Sequence, residues 1–139
     1  MKRNLLAVAL LPGILVFAGC KSDHAGGAYP PVQTNVNSLE DTARFVLLDK
    51  GVQESVTSPG IQETRLTDGR LQVVANLRNM LNRRIQVQAN CVFKDPQGFV
   101  VEDTPFVNVF LDENAQEGIK FVSANDKAQR YTIRVRQAR

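Results

Sequence analysis

Tryptophan is absent from this chain of 139 residues, which holds only two cysteines, one histidine, two tyrosines and two methionines. The single histidine, His24, lies outside the patterned part of the chain, so no histidine-assisted nucleophile can be assembled there. One His, two Cys and scattered acids show no metal-ligand spacing, and the sequence assigns neither a metal nor a cofactor. Phosphate loops are lacking as well: Gly26-Gly27 and Gly98 are isolated and precede no helical pattern. Spanning a bilayer takes roughly 20 apolar residues, and the apolar run at residues 5–18 is fourteen long and broken by Pro12 and Gly13. Nor is there an excess of one charge. Seventeen Lys and Arg face fourteen Asp and Glu, a net of +3, too little for a general nucleic-acid field.

The first twenty residues carry the clearest pattern. Lys2 and Arg3 precede the apolar run, which ends Phe17-Ala18-Gly19-Cys20. A positive start, a short apolar stretch and small residues before the break are the marks of a secretory signal peptide. Its ending resembles a lipobox, with Phe17 where Leu is usual; in such segments the cut falls just before a diacylated cysteine. The expectation is therefore a leader over residues 1–19, removed, with Cys20 as the lipidated first residue and membrane anchor. Cutting 19 residues from 139 leaves 120, one domain of ordinary size. Loss of Lys2 and Arg3 brings the balance to fifteen against fourteen, or +1, so any binding surface is local. Lys21 after the cysteine favours the outer membrane, with the domain facing the periplasm. If Cys20 is acylated, Cys91 has no disulfide partner and is expected to be buried.

Residues 20–37 contain Gly26, Gly27, Pro30 and Pro31 with few large apolar side chains, the composition of a flexible tether. Beyond it the period is two. Ile85, Val87, Ala89, Cys91 and Phe93 alternate with Arg84, Gln86, Gln88, Asn90 and Lys94, which predicts a half-buried strand with Cys91 on its apolar face. Leu71, Val73, Ala75 and Leu77 alternate in the same way. Residues 79–83 between these runs suit a hairpin connection. Lys94-Asp95-Pro96-Gln97-Gly98 reads as a turn capped by the Asp95 side chain, with residues 99–101 as the return strand. Further strands are expected at residues 106–111 and 118–123. In the last one Tyr131, Ile133 and Val135 face inward while Arg130, Thr132, Arg134 and Arg136 face outward. Residues 44–49 and, more weakly, 52–57 supply others, and a short helical turn is expected near residues 38–43. About seven short strands with turn signals between them predict an all-β fold over residues 38–139, an antiparallel, immunoglobulin-like sandwich of two sheets. Lacking Trp and a core cysteine pair, it is not antibody-like in detail.

Three segments resemble the YcfL family of small proteobacterial lipoproteins. Leu71-Gln72-Val73-Val74-Ala75-Asn76-Leu77-Arg78-Asn79 is similar to its V-x-L-x-N strand. Val92-Phe93-Lys94-Asp95-Pro96-Gln97-Gly98-Phe99-Val100-Val101 is similar to its strand–turn–strand signature. Phe121-Val122-Ser123-Ala124-Asn125, with Ala128 and residues 131–136, looks like its closing segment. The resemblance implies a periplasmic β-sandwich lipoprotein with no established reaction.

Carboxylates occur as Glu102-Asp103, Asp112-Glu113 and Glu117, at expected strand ends where solvated loop acids belong. A paired-acid hydrolase or a glycan-binding domain acting on cell wall is the alternative they would support. No catalytic residue is assigned. Arginines are the more suggestive group: Arg83, Arg84, Arg130, Arg134 and Arg136 offer planar forks suited to carboxylates and phosphates. The plainer reading is an outward strand face charged against sheet-to-sheet aggregation. Taken together, the sequence points to a non-enzymatic module tethered to the membrane by its N-terminal lipid. Its expected partner is an envelope protein or peptidoglycan, and no nucleic acid. A structural lipoprotein with no dedicated partner is a further alternative.

Overall fold

Period-two alternation places one row of side chains of each strand against a facing sheet, and a computed structural model, describing residues 35–138, shows which strands share that core. In chain order the elements are α1 (Asn35–Thr42), β1 (Phe45–Leu47), α2 (Lys50–Ser55), β2 (Val56–Arg65), β3 (Leu71–Asn79), β4 (Ile85–Lys94), β5 (Val100–Asp103), β6 (Val107–Leu111), β7 (Gln116–Val122) and β8 (Arg130–Gln137). One sheet has the order β1-β8-β4-β5, with β6 also on β4; the other has the order β2-β3-β7. The fold is an all-β sandwich, as the alternation predicts, with eight strands among the described residues.

Between the sheets, Leu71, Val73, Ala75 and Leu77 of β3 and Ile119 and Phe121 of β7 meet Val87, Ala89, Cys91 and Phe93 of β4 and Tyr131, Ile133 and Val135 of β8. Every one of these is an inward position of its strand, so the core follows directly from the pattern. β5 and β6 behave as one edge strand interrupted at Thr104-Pro105. β6 pairs with the first half of β4 (Ala89 with Val107) and β5 with the second (Val92 with Asp103). Thr104 spans the break: its N–H donates to Cys91 O at 3.0 Å and its Oγ1 accepts from Cys91 N at 2.9 Å. Pro105 lacks a donor, which an edge position tolerates. The turn at residues 95–98 forms as expected. Asp95 Oδ1 accepts from Phe99 N at 2.9 Å, and Gly98 takes φ +95°, a conformation a side chain would strain.

Four expectations are corrected, and one strand absent from the sequence reading is added. Residues 79–83 are not a hairpin: β3 and β4 lie in different sheets, and the segment crosses between them. Asn79, fully buried, organises the crossing. Its Nδ2 donates to the carbonyls of Arg83 (2.7 Å) and Asp112 (2.8 Å), and its Oδ1 accepts from Leu81 N (2.9 Å). Residues 52–55 are helical, not extended. Val52 and Val56 stand four apart, the spacing of one helical face, and both are buried. Gln53 N bonds Asp49 O at 3.0 Å to start the turn. β2 continues to Arg65 as a largely exposed edge strand whose register shifts between Thr57 and Gly60, around Pro59. Its polar sequence hides it from hydrophobic alternation. β1 runs parallel to β8, pairing Phe45 with Ile133, so the sandwich is not wholly antiparallel. Thr132, expected outside, is buried.

The reason lies in α1, which begins three residues before the helical turn expected from the sequence. Helix C-termini leave carbonyls unpaired. Here Lys94 Nζ and Thr132 Oγ1 both donate to Glu40 O, and Thr132 Oγ1 also lies 2.8 Å from Ala43 O. An ammonium at a helix C-terminus is further favoured by the helix dipole.

Asn79→Ala should lower stability by about 3 kcal/mol, because one fully buried side chain and the three partly buried backbone groups it holds lose their bonds at once. Equilibrium urea unfolding measures this; a loss below about 1 kcal/mol would show that the crossing holds without the side chain.

Candidate functional site

The outward positions of the larger sheet come from facing pairs in the ladder: Gln88 with Arg136 and Asn90 with Arg134 between β4 and β8, and Gln88 with Asn108 between β4 and β6. Alternation thus brings two arginines, three amides and the outward aromatics of the β6 edge onto one face. Arg134 is the structural member. Its Nη2 donates to both carboxylate oxygens of Asp103 (2.8 and 2.9 Å), its Nε to Asn90 Oδ1 (3.0 Å), and its Nη1 lies 3.7 Å from Glu40 Oε2. Asn90 closes the group by donating to Asp103 Oδ1 at 2.7 Å and Thr104 O at 3.0 Å. Half-buried on the sheet and consumed by two acids, Arg134 ties α1, β8 and β5 together.

Arg136 is different. Its guanidinium carbon sits 3.7 Å from the centroid of the Phe106 ring, a stacked arrangement. Its Nε donates to Gln88 Oε1 at 2.9 Å, and Gln88 Nε2 donates in turn to Asn108 Oδ1 at 3.0 Å. The two Nη groups have no partner among the described residues. A flat guanidinium held at one edge by an amide and on one face by a ring has little freedom left to lose on meeting an acceptor.

The other sequence-selected arginines go elsewhere. Arg84 stacks over Phe110 at 5.1 Å and meets Asp112 Oδ1 at 3.2 Å. Phe110 stands four residues beyond Phe106, about 13 Å along the strand. Arg83 borders a hollow of about 300 Å³ beside α2, lined by Val52, Leu81, Ile85 and Val87. Arg130 borders one of about 290 Å³ with Asp41, Arg44, Glu63 and Tyr131. There Arg44 pairs with Glu63 at 3.5 Å and lies over the Tyr131 ring, and burial raises the Tyr131 pKa. So the structure brings Arg134 and Arg136 together, sets Arg84 farther along the same face, and separates Arg83 and Arg130 from them. Cys20 lies outside the described residues.

Sequence reasoning missed Phe106, Gln88 and Asn108. A signal was present: in residues 106–110 the outward row reads Phe, Asn, Phe, an unusual set to leave on a solvent-facing edge. The acids also find their places. Glu102 Oε2 accepts from Ala124 N at 2.6 Å, Asp103 holds Arg134 and Asp112 meets Arg84. Glu102-Asp103 and Asp112-Glu113 precede and follow β6, on opposite sides of that strand. Among the described residues no group of three or more His, Cys, Asp or Glu could hold a metal ion.

Cys91 is fully buried and unpaired. Burial, reinforced by the charges of Glu102 and Asp103, pushes its pKa up to about 12 from 9.0. The raised pKa fixes the sign of linkage. Stability from keeping this thiol neutral is full below pH 9 and declines, by about 1.4 kcal/mol per unit, as pH rises from 9 towards 12. Iodoacetamide at pH 8 should leave Cys91 unmodified in the folded protein and alkylate it fully in 8 M urea (roughly the concentration that unfolds small domains). In the pH 9–11 range, Cys91→Ala should flatten the fall in unfolding free energy; an unchanged slope would remove this group as its source.

No family model and no curated protein matches the chain. Among solved structures it is similar to cj0090 of Campylobacter jejuni, 13% identical with a TM-score of 0.55, over 68% of this chain and 98% of that one. It is also similar to a DUF1425 family member from Shewanella sp. pv-4, 21% identical with a TM-score of 0.54, over 60% of this chain and 77% of that one. At these identities the likeness is one of fold: the sandwich is shared with small bacterial proteins.

Proposed function

We propose that this protein is a lipid-anchored envelope protein of the YcfL type whose sandwich works as a non-enzymatic binding module in the periplasm. Support for the anchor comes from the residues before Cys20, and support for the family from the quoted strand and turn segments together with the shared sandwich. The observation that carries the binding reading is Arg136, stacked at 3.7 Å on Phe106 and steadied by Gln88, with neither Nη group bonded among the described residues. Such a fork accepts a carboxylate in bidentate fashion. Both envelope proteins and peptidoglycan stem peptides present carboxylates. Acyl chains contribute about 0.8 kcal/mol per buried methylene, and confinement near the bilayer raises the effective concentration of a modest contact.

Two measurements test the reading. Cys20→Ala should move the protein from the outer-membrane fraction to the soluble periplasm. Crosslinking in living cells followed by mass spectrometry should enrich a defined envelope partner, and Arg136→Glu should reduce its recovery at least tenfold while leaving the fold intact by circular dichroism. Equal recovery with Arg136→Glu would remove this face as the binding surface.

A further inference from the structure

Sheet edges invite pairing with another chain unless something blocks them. In this sandwich β1 is three residues long and runs on through Leu48 towards α2. β2 is broken by Pro59 and Gly60 at its register shift and carries Glu63 and Arg65. β7 carries Glu117 and Lys120. β6 has none of these devices. Val107-Asn108-Val109-Phe110-Leu111 contains no charge, proline or glycine, and Val107 and Phe110 are 44% and 52% exposed. Its one sheet neighbour among the described residues is β4.

Ladder geometry shows what the open side offers. Cys91 and Asp95 direct their backbone groups towards Thr104 and Phe99, so odd-numbered residues of β4 bond towards β5 and β6. Val107, Val109 and Leu111 face Ala89, Val87 and Ile85 and receive those bonds. By alternation the N–H and C=O groups of Asn108 and Phe110 point away from the sheet.

We propose that β6 pairs with β6 of a second copy of this chain, antiparallel about Val109, so that the two larger sheets join edge to edge. This register sets Asn108 of each copy opposite Phe110 of the other, residues whose backbone groups are both turned outward. It also lays Leu111 beside the exposed Val107. Charge favours the antiparallel sense. Arg136, over Phe106, stands at one end of the strand without a carboxylate partner, and Glu113 stands beyond the other end without an ion pair among the described residues. Antiparallel pairing brings these opposite ends together, whereas parallel pairing would stack like on like. The arrangement is two-fold and uses the same edge in both copies, so it closes at a dimer, and the remaining edges are guarded. A five-residue ladder is far smaller than the roughly 1,600 Å² of a standard interface, so trapping is the suitable assay.

The proposal stands on edge geometry and does not require the lipid anchor. Asn108→Cys and Phe110→Cys are made separately in the full chain, each with Cys20→Ala, and mixed under mild oxidation. Buried Cys91 does not compete. The mixture should give at least tenfold more disulfide-linked dimer than either variant alone, since each alone sets its thiol opposite an unmodified residue. Adding Val107→Lys to both should lower the yield at least tenfold. Equal yields from mixed and unmixed samples, or none from the mixture, would overturn the pairing. A second measurement needs no cysteine: amide exchange at Asn108 and Phe110 in the unmodified chain should slow as protein concentration rises. Exchange that stays constant with concentration, yet slows in an envelope extract, would assign the edge to a strand of a different protein and overturn the self-pairing.

Discussion

β4 is the strand on which the rest of the sandwich depends. It is hydrogen-bonded along both edges, to β8 on one side and to β5 and β6 on the other. Its last six residues are buried, including those on the outer face. The inner face is covered by β3 and β7, as in any sandwich. The outer face is covered by a different material, a polar assembly of Arg134, Asp103, Asn90, Lys94 and the C-terminus of α1. A strand buried on both sides needs apolar contacts on one face and fully satisfied polar groups on the other. Each of these polar side chains has at least one hydrogen-bond partner among the described residues.

What was readable in the sequence follows from that division. Inner rows are chosen by hydrophobicity, and hydrophobic alternation recovered β3, β4, β6, β7 and β8 with their core residues. Elements held by other means were not recovered. β2 is an exposed edge, so its polar run carries no alternation. The Val52–Val56 spacing fits one helical turn as well as a weak strand, and only the Asp49–Gln53 backbone bond decides between them. At residues 79–83 a short polar link suits a hairpin and a sheet-to-sheet crossing equally. The deciding fact is the set of carbonyls gathered by Asn79, two of them more than thirty residues away along the chain.

The arginines teach the same lesson about function. Alternation correctly puts Arg134 and Arg136 on one face, yet it cannot say which of them is spent. Arg134 is enclosed by Asp103 and Glu40, so its charge holds the fold together. Two residues farther on, Arg136 shares the Phe106 ring with Arg134 but meets Gln88 where Arg134 meets acids, so nothing among the described residues neutralises it. Arg83 and Arg130 belong to the same composition but to other surfaces. The difference comes wholly from cross-strand neighbours, which a single sequence does not display.

The polar cover also fixes α1 to the sheet. Residue 35 opens α1, and α1 is fixed to the sheet at its far end, through Glu40 O, Ala43 O and the Glu40 carboxylate. Those groups reach Lys94 and Thr132, diagonal neighbours on β4 and β8 (Thr132 faces Val92 and Lys94 faces Arg130), and Arg134 two residues farther along β8. Within the described residues α1 is therefore fixed to the two central strands of the larger sheet. The β6 edge, with Phe106, Arg136 and Phe110, lies on the other side of β4 from β8. Among the described residues α1 is thus fixed at β4 and β8, and the β6 edge lies beyond β4 from β8.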